Sequence, residues 1–140
     1  MIGIVVSGHG NFASGIISSL ELIAGKQENV AGVDFTINDN IENLQSKLED
    51  AAKELSSCEG ILFLTDIAGG SPFRICALLC QELKNSRVVA GTNVGMILEI
   101  SLSREGIGIE ELKNMALQSG ISAVKAFEPR EKKQVNNNGI

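Results

Sequence analysis

GILFLTDIAGGSPF, residues 60–73, carries the reading on which the fold turns. GILFLT is the strongest strand signal in the chain. Its apolarity is continuous rather than alternating, which marks a strand covered on both faces, as in a parallel sheet. The loop DIAGG follows. The helix after it is expected to run from Ser71 to about Lys84, with Ser71 at the N-cap and Pro72 at the first helical position.

The same strand–loop–helix unit recurs on either side. IGIVVS (2–7) is a buried strand, GHGN a loop, and 12–24 a helix with Phe12, Ile16, Leu20 and Ile23 at three- and four-residue steps, stopped by Gly25. VAGVDF (30–35) is a strand. Asp39 or Asn40 caps a helix over 40–55, with Ile41, Leu44, Leu48, Ala51, Ala52 and Leu55 as its apolar stripe. RVVAG (87–91) is a fourth strand, followed by a helix over 94–104, a break at Gly106 and Gly108, and a last helix over 109–126. A short terminal strand is expected near 124–130. The order predicts an α/β fold: a three-layer, open, mainly parallel sheet with helices on both faces. One domain, 1–127, and a polar tail, 128–140, account for the chain. In such sheets chemistry lies beyond the carboxyl ends of the strands. Loops 7–11, 36–39, 65–71 and 91–95 are therefore the places to look.

Composition narrows the chemistry. Of 140 residues 44% are hydrophobic and only 4% aromatic, with no Trp and no Tyr, so the core is aliphatic. The formal charge of −5 lacks the basic footprint of nucleic-acid binding and suits anionic membranes poorly. No apolar run approaches the roughly 20 residues that span a bilayer. The N-terminus has no basic region or cleavage pattern, so no signal peptide is expected. Three cysteines make no disulfide framework and fit a reducing cytosol; Cys76 and Cys80, four residues apart, read as buried thiols on one helical face. With a single histidine, no zinc site and no cofactor are expected.

Gly8-x-Gly10-x-x-Ala13 matches a dinucleotide fingerprint after a strand, and Asp34 stands where a ribose-binding acid would. The imidazole between those glycines would crowd a pyrophosphate, and the chain has no room for a substrate domain. A Walker A loop is absent. The stronger constellation joins two loops: His9 after the first strand, and Asp66 with the GGSP turn after the third. A carboxylate on one imidazole nitrogen fixes the tautomer and leaves the other free as a nucleophile. Asp66 can do this at Nδ1 of His9, leaving Nε2 to attack phosphorus. Gly10, Gly70, Ser71 and Phe73 are the candidate phosphate-binding residues, through glycine-exposed backbone and the positive helix end.

These residues resemble the IIA component of the mannose family of the bacterial sugar phosphotransferase system. The resemblance rests on GHGNFASG, ENVAGVDF, GILFLTDIAGGSPF and VVAGTNVGMILE, and spans Met1 to about Phe127. It implies a cytoplasmic phosphotransferase that accepts a phosphoryl group on His9 from the general histidine phosphocarrier and passes it to a separate IIB subunit for sugar uptake. Asp66 falls on the family's partnering aspartate and Ser71 on its phosphate-contacting serine. The resemblance also implies a homodimer with an exchanged C-terminal segment, and peripheral association with the membrane permease at most. Mannose-type members commonly carry Asn after GGSPF; Arg74 here looks like the N-acetylgalactosamine or amino-sugar subgroup. Alternatives are the phosphocarrier partner of dihydroxyacetone kinase, or a dinucleotide- or phosphate-binding regulatory module.

Two surfaces remain. Phe12, Ile67, Phe73 and Arg74 lie beside the catalytic loops, and Arg74 is the partner-surface candidate. The helix over 94–104 carries Met96, Ile97, Leu98, Ile100 and Leu102, more apolar positions than one buried stripe needs, so it is expected to be covered from two sides, by a second copy or by the last helix.

Overall fold

Four apolar runs pair into one parallel sheet in a computed structural model that describes residues 1–131. β1 (Gly3–His9), β2 (Val30–Phe35), β3 (Ile61–Thr65) and β4 (Ser86–Val89) lie in the order β2-β1-β3-β4. The crossovers are α1 (Phe12–Ala24), α2 (Ile41–Glu54) and α3 (Ser71–Glu82); α4 (Val94–Ser103) and α5 (Ile109–Ala123) follow β4. Alternate strand residues feed opposite faces. Ile4, Val6, Leu62 and Leu64 meet α1, α4 and α5 through Leu20, Ile97, Ile100 and Leu112. Val5, Val33 and Phe63 meet α2 and α3 through Leu44, Leu48, Ile75 and Leu79. Burying each large side chain of this kind stabilises the fold by about 1.5–3 kcal/mol.

The helix over 40–55 starts as its residues dictate. Asn40 accepts from the N–H of Asn43, and Asn43 accepts from the N–H of Asn40, a reciprocal cap. The loop before it is closed by Asp39, which accepts from the N–H and hydroxyl of Thr36 and from Lys47 at 2.8 Å. The Lys47 ammonium, with the two Thr36 donors, pulls the Asp39 carboxyl down to about 2. This loop is a braced turn and contributes no reactive group to the site.

Several expectations are corrected. β1 runs two residues past Ser7, so His9 is the last strand residue rather than a loop residue; the register with β2 continues to the pair His9–Phe35. The N-cap of α3 is Gly70, with extended backbone, and Ser71 and Pro72 are the first two helical residues. α5 stops at Ala123, and residues 124–131 form no strand. Within one chain they have no neighbouring strand to bond, and Val124 and Phe127 stand exposed. Most of the expected tail, 128–140, lies outside the described residues. In α4, Met96, Ile97 and Ile100 are buried, Leu98 is half-buried and Leu102 is exposed, so α5 covers much of the apolar surplus within the chain.

One core feature was not legible in sequence. Arg104, just after α4, is 3% exposed and donates to the carbonyls of Ile2, Asn29 and Glu28. It ties the end of α4 to the start of β1 and to the α1–β2 turn.

Candidate functional site

Strand order explains why two distant loops meet. β1 and β3 are neighbours, but the chain leaves β1 toward α1 on one face and β3 toward α3 on the other. The segments beyond their carboxyl ends therefore diverge to opposite faces, which is the switch point of such sheets. His9 ends β1 and Asp66 follows β3, and the Ser7–Thr65 register leaves them one residue apart along the sheet.

Asp66 grips His9 twice. Its Oδ2 accepts from the His9 backbone N–H at 2.8 Å and lies 2.7 Å from His9 Nδ1. Its Oδ1 accepts from the Ile67 N–H at 2.8 Å. Burial pushes the Asp66 carboxyl up, but the donors from His9 and Ile67 outweigh it and hold it below the usual range. An ionised carboxylate at Nδ1 keeps the proton on that nitrogen and leaves the Nε2 lone pair free. The imidazole is 48% exposed and the carboxylate 17%, so the ring is open to a reaction partner while its orienting group is sheltered.

Gly70 forms the wall beside the ring. A Cβ there would stand 2.7 Å from His9 Cε1 and 3.4 Å from Nε2. The Nε2 edge thus lies against the start of α3. No side chain caps that helix, and Pro72 has no N–H, so the Ser71 and Phe73 amides remain as donors at its positive end. Ser71 and Phe73 are half-buried and Arg74 is exposed. Gly10 differs from expectation. Its N–H is committed to the Phe35 carbonyl at 2.7 Å, so it has none to offer an anion. Its role is the turn out of the strand, at φ 61°.

Two residues of β2 complete the setting. Phe35 packs its ring edge-on to the imidazole, centroids 5.9 Å apart. Asp34 accepts from the Ser14 N–H at 2.9 Å and its hydroxyl at 2.7 Å, fixing the first turn of α1. That use of Asp34 removes the ribose acid from the dinucleotide reading. Sequence reasoning passed over Phe35; the signal was an aromatic closing a strand adjacent to the His9 strand.

Comparison with known proteins shows the family. The family model EIIA-man, described as PTS system fructose IIA component, matches residues 3–117. The chain belongs to the EIIA-man family. It is 33% identical over 130 residues to the PTS system mannose-specific EIIAB component of Escherichia coli, covering 92% of this chain and 40% of that protein. The chain thus spans under half the length of that relative. It is 33% identical over 114 residues to the PTS system fructose-specific EIIA component of Bacillus subtilis, covering 81% of this chain and 78% of that one. Among solved structures it is similar to phosphotransferase system component EIIA from Streptococcus agalactiae, with TM-score 0.83, 35% identity and coverage of 90% and 97%. The mannose/sorbose specific IIA subunit from Enterococcus faecalis gives TM-score 0.85, 29% identity and coverage of 93% and 97%. These EIIA-man likenesses extend over the α/β sheet that positions His9 and Asp66.

Proposed function

We propose that this EIIA-man chain is a phosphocarrier of a sugar phosphotransferase system, with His9 as the acceptor. The observation that carries the reading is the Nδ1 contact to Asp66 at 2.7 Å, with the opposite edge of the ring against Gly70 at the start of α3. In the reaction, Nε2 of His9 attacks the phosphorus of a phosphohistidine on the general histidine phosphocarrier. The donor's P–N bond breaks as the new one forms, and the donor imidazole leaves with the electron pair. The Nδ1 proton of His9 stays on its bond to Asp66, whose negative charge balances the charge gained by the ring. The Ser71 and Phe73 amides and the Ser71 hydroxyl hold the phosphoryl oxygens; positioning and charge stabilisation are most of what such transfer asks of a protein. The reverse sequence hands the group to a IIB component.

The donor is itself a protein, so an exposed ring suits it better than an enclosed cavity. A recess of about 360 Å³ between the ends of α2 and α3, lined by Leu55, Ile61, Leu79 and Leu83, opens near the start of β3, away from His9. No helix among the described residues is long and apolar enough to cross a membrane. The reading places the protein in the cytoplasm, at most peripheral to a permease, and as a homodimer in which residues near 124–130 exchange. Incubating the full chain with phosphorylated carrier tests it. Mass spectrometry should find one acid-labile phosphate on the parent and none on His9→Ala. Label persisting on the variant overturns the assignment.

A further inference from the structure

We propose that the outer edge of β2 is a docking strip for an extended, basic segment of a partner protein, which adds to the sheet beside β2. The backbone supplies the first argument. Ile4 N–H bonds the Asn29 carbonyl and Gly10 N–H bonds the Phe35 carbonyl, bracketing the strand. By alternation, the odd-numbered residues of β2 turn their peptide groups to β1. Val30, Gly32 and Asp34 turn theirs outward, where no strand lies among the described residues. Edge strands are usually blunted by Lys, Pro or a bulge. VAGVDF has neither Lys nor Pro, and its register with β1 runs unbroken. Asp34, its one charge, is held by Ser14.

The surroundings supply the chemistry. The strand rises between two recesses that share Gly32 and Asp34. One, about 300 Å³, lies toward α1 and is lined by Ser14, Ile17, Ser18 and Glu21. The other, about 500 Å³, lies toward α2 and is lined by Lys47, Asp50, Ala51 and Glu54. An added strand puts alternate side chains into opposite recesses. Acids wait in both: Glu21 on one side, Asp50 and Glu54 on the other. Lys47, the one cation among the described residues that line them, is already on Asp39. Lysine or arginine on both faces of the incoming segment matches this field. Gly32 is exposed at the middle of the strand, and a Cβ there would press on Ile17 of α1. The strip is continuous with the site, because β2 ends at Phe35, against the His9 ring.

The test uses the full, isotope-labelled chain and a capped peptide of lysine and valine about as long as β2. Binding should shift the Gly32 and Asp34 amide resonances and slow their hydrogen exchange. Asp50→Lys with Glu54→Lys should weaken binding about tenfold or more. N-methylation of alternate peptide amides should abolish it, because strand addition needs those donors. No binding, equal binding of the methylated peptide, or shifts confined elsewhere overturns the proposal. Amides already protected in the free protein at high concentration, and released on dilution, would mean that a second copy fills the strip, which also overturns it.

Discussion

Asp66 Oδ2 receives two donors from the same residue, the backbone N–H of His9 at 2.8 Å and its Nδ1 at 2.7 Å. One oxygen thereby fixes both where β1 ends and how the imidazole is turned. Asp66→Asn keeps the shape but can present an amide N–H to Nδ1, favouring the wrong tautomer. Phosphoryl acceptance measured by rapid quench should slow about 100-fold, on the order of one lost preorganised contact. A variant transferring at the parental rate would remove Asp66 from the mechanism.

The same carboxylate makes stability depend on acid. Its folded pKa is depressed, so its contribution is complete above the ordinary aspartate value of about 3.9 and disappears as pH falls through the lower folded value. Denaturant midpoints followed from about pH 6 down to about 2.5 should fall less steeply in Asp66→Asn than in the parent. Parallel acid limbs would refute this.

Gly70→Ala places a methyl 2.7 Å from His9 Cε1. Gly70 has ordinary extended backbone, so the fold should survive, with a loss of about 1 kcal/mol at most from the poorer N-cap. The ring must move, and a displacement of roughly 1 Å can cost about 100-fold in transfer. Circular dichroism and phosphorylation rate together decide: an unaltered rate means that the ring does not need this wall.

Arg74 is exposed on the first turn of α3, beside the proposed phosphate donors. Arg74→Glu should slow transfer with the carrier, the IIB component or both, and change its dependence on ionic strength. Equal rates for both proteins at every salt concentration would make Arg74 an ordinary solvated residue.

Arg104→Met should lower stability by about 3 kcal/mol, since three carbonyls lose their donor in a buried place. Thermal unfolding should show the loss while His9 phosphorylation at a permissive temperature stays near the parental level. A melting temperature within error of the parent would contradict the structural role.

A dimer is expected from the exposed apolar residues where α5 ends. Ile121, Val124 and Phe127 stand in solvent in a single copy. Light scattering at micromolar concentration should give about twice the chain mass of 14.8 kDa, reduced in Ile121→Glu. A value near the chain mass throughout would rule out the dimer.

The sequence alone determined the alternation of strands and helices, because continuous apolar runs and three-to-four-residue apolar steps are local patterns that permit few solutions. Parallel pairing and the placing of a candidate site at the strand ends followed from that order, which is why His9, Asp66 and the GGSP turn could be singled out together. Local pattern could not say that Ser71 lies inside the helix rather than at its cap, since Gly70 and Ser71 are both acceptable caps and packing chose between them. Nor could it show that Gly10 spends its N–H on Phe35, that Asp34 holds Ser14, or that Arg104 is buried beneath three carbonyls. Each of those contacts joins residues that only the folded sheet brings within bonding distance, up to 102 positions apart for Arg104 and Ile2. Side chains with several possible partners are assigned by tertiary geometry, whereas the apolar period that builds the layers is written residue by residue in the chain.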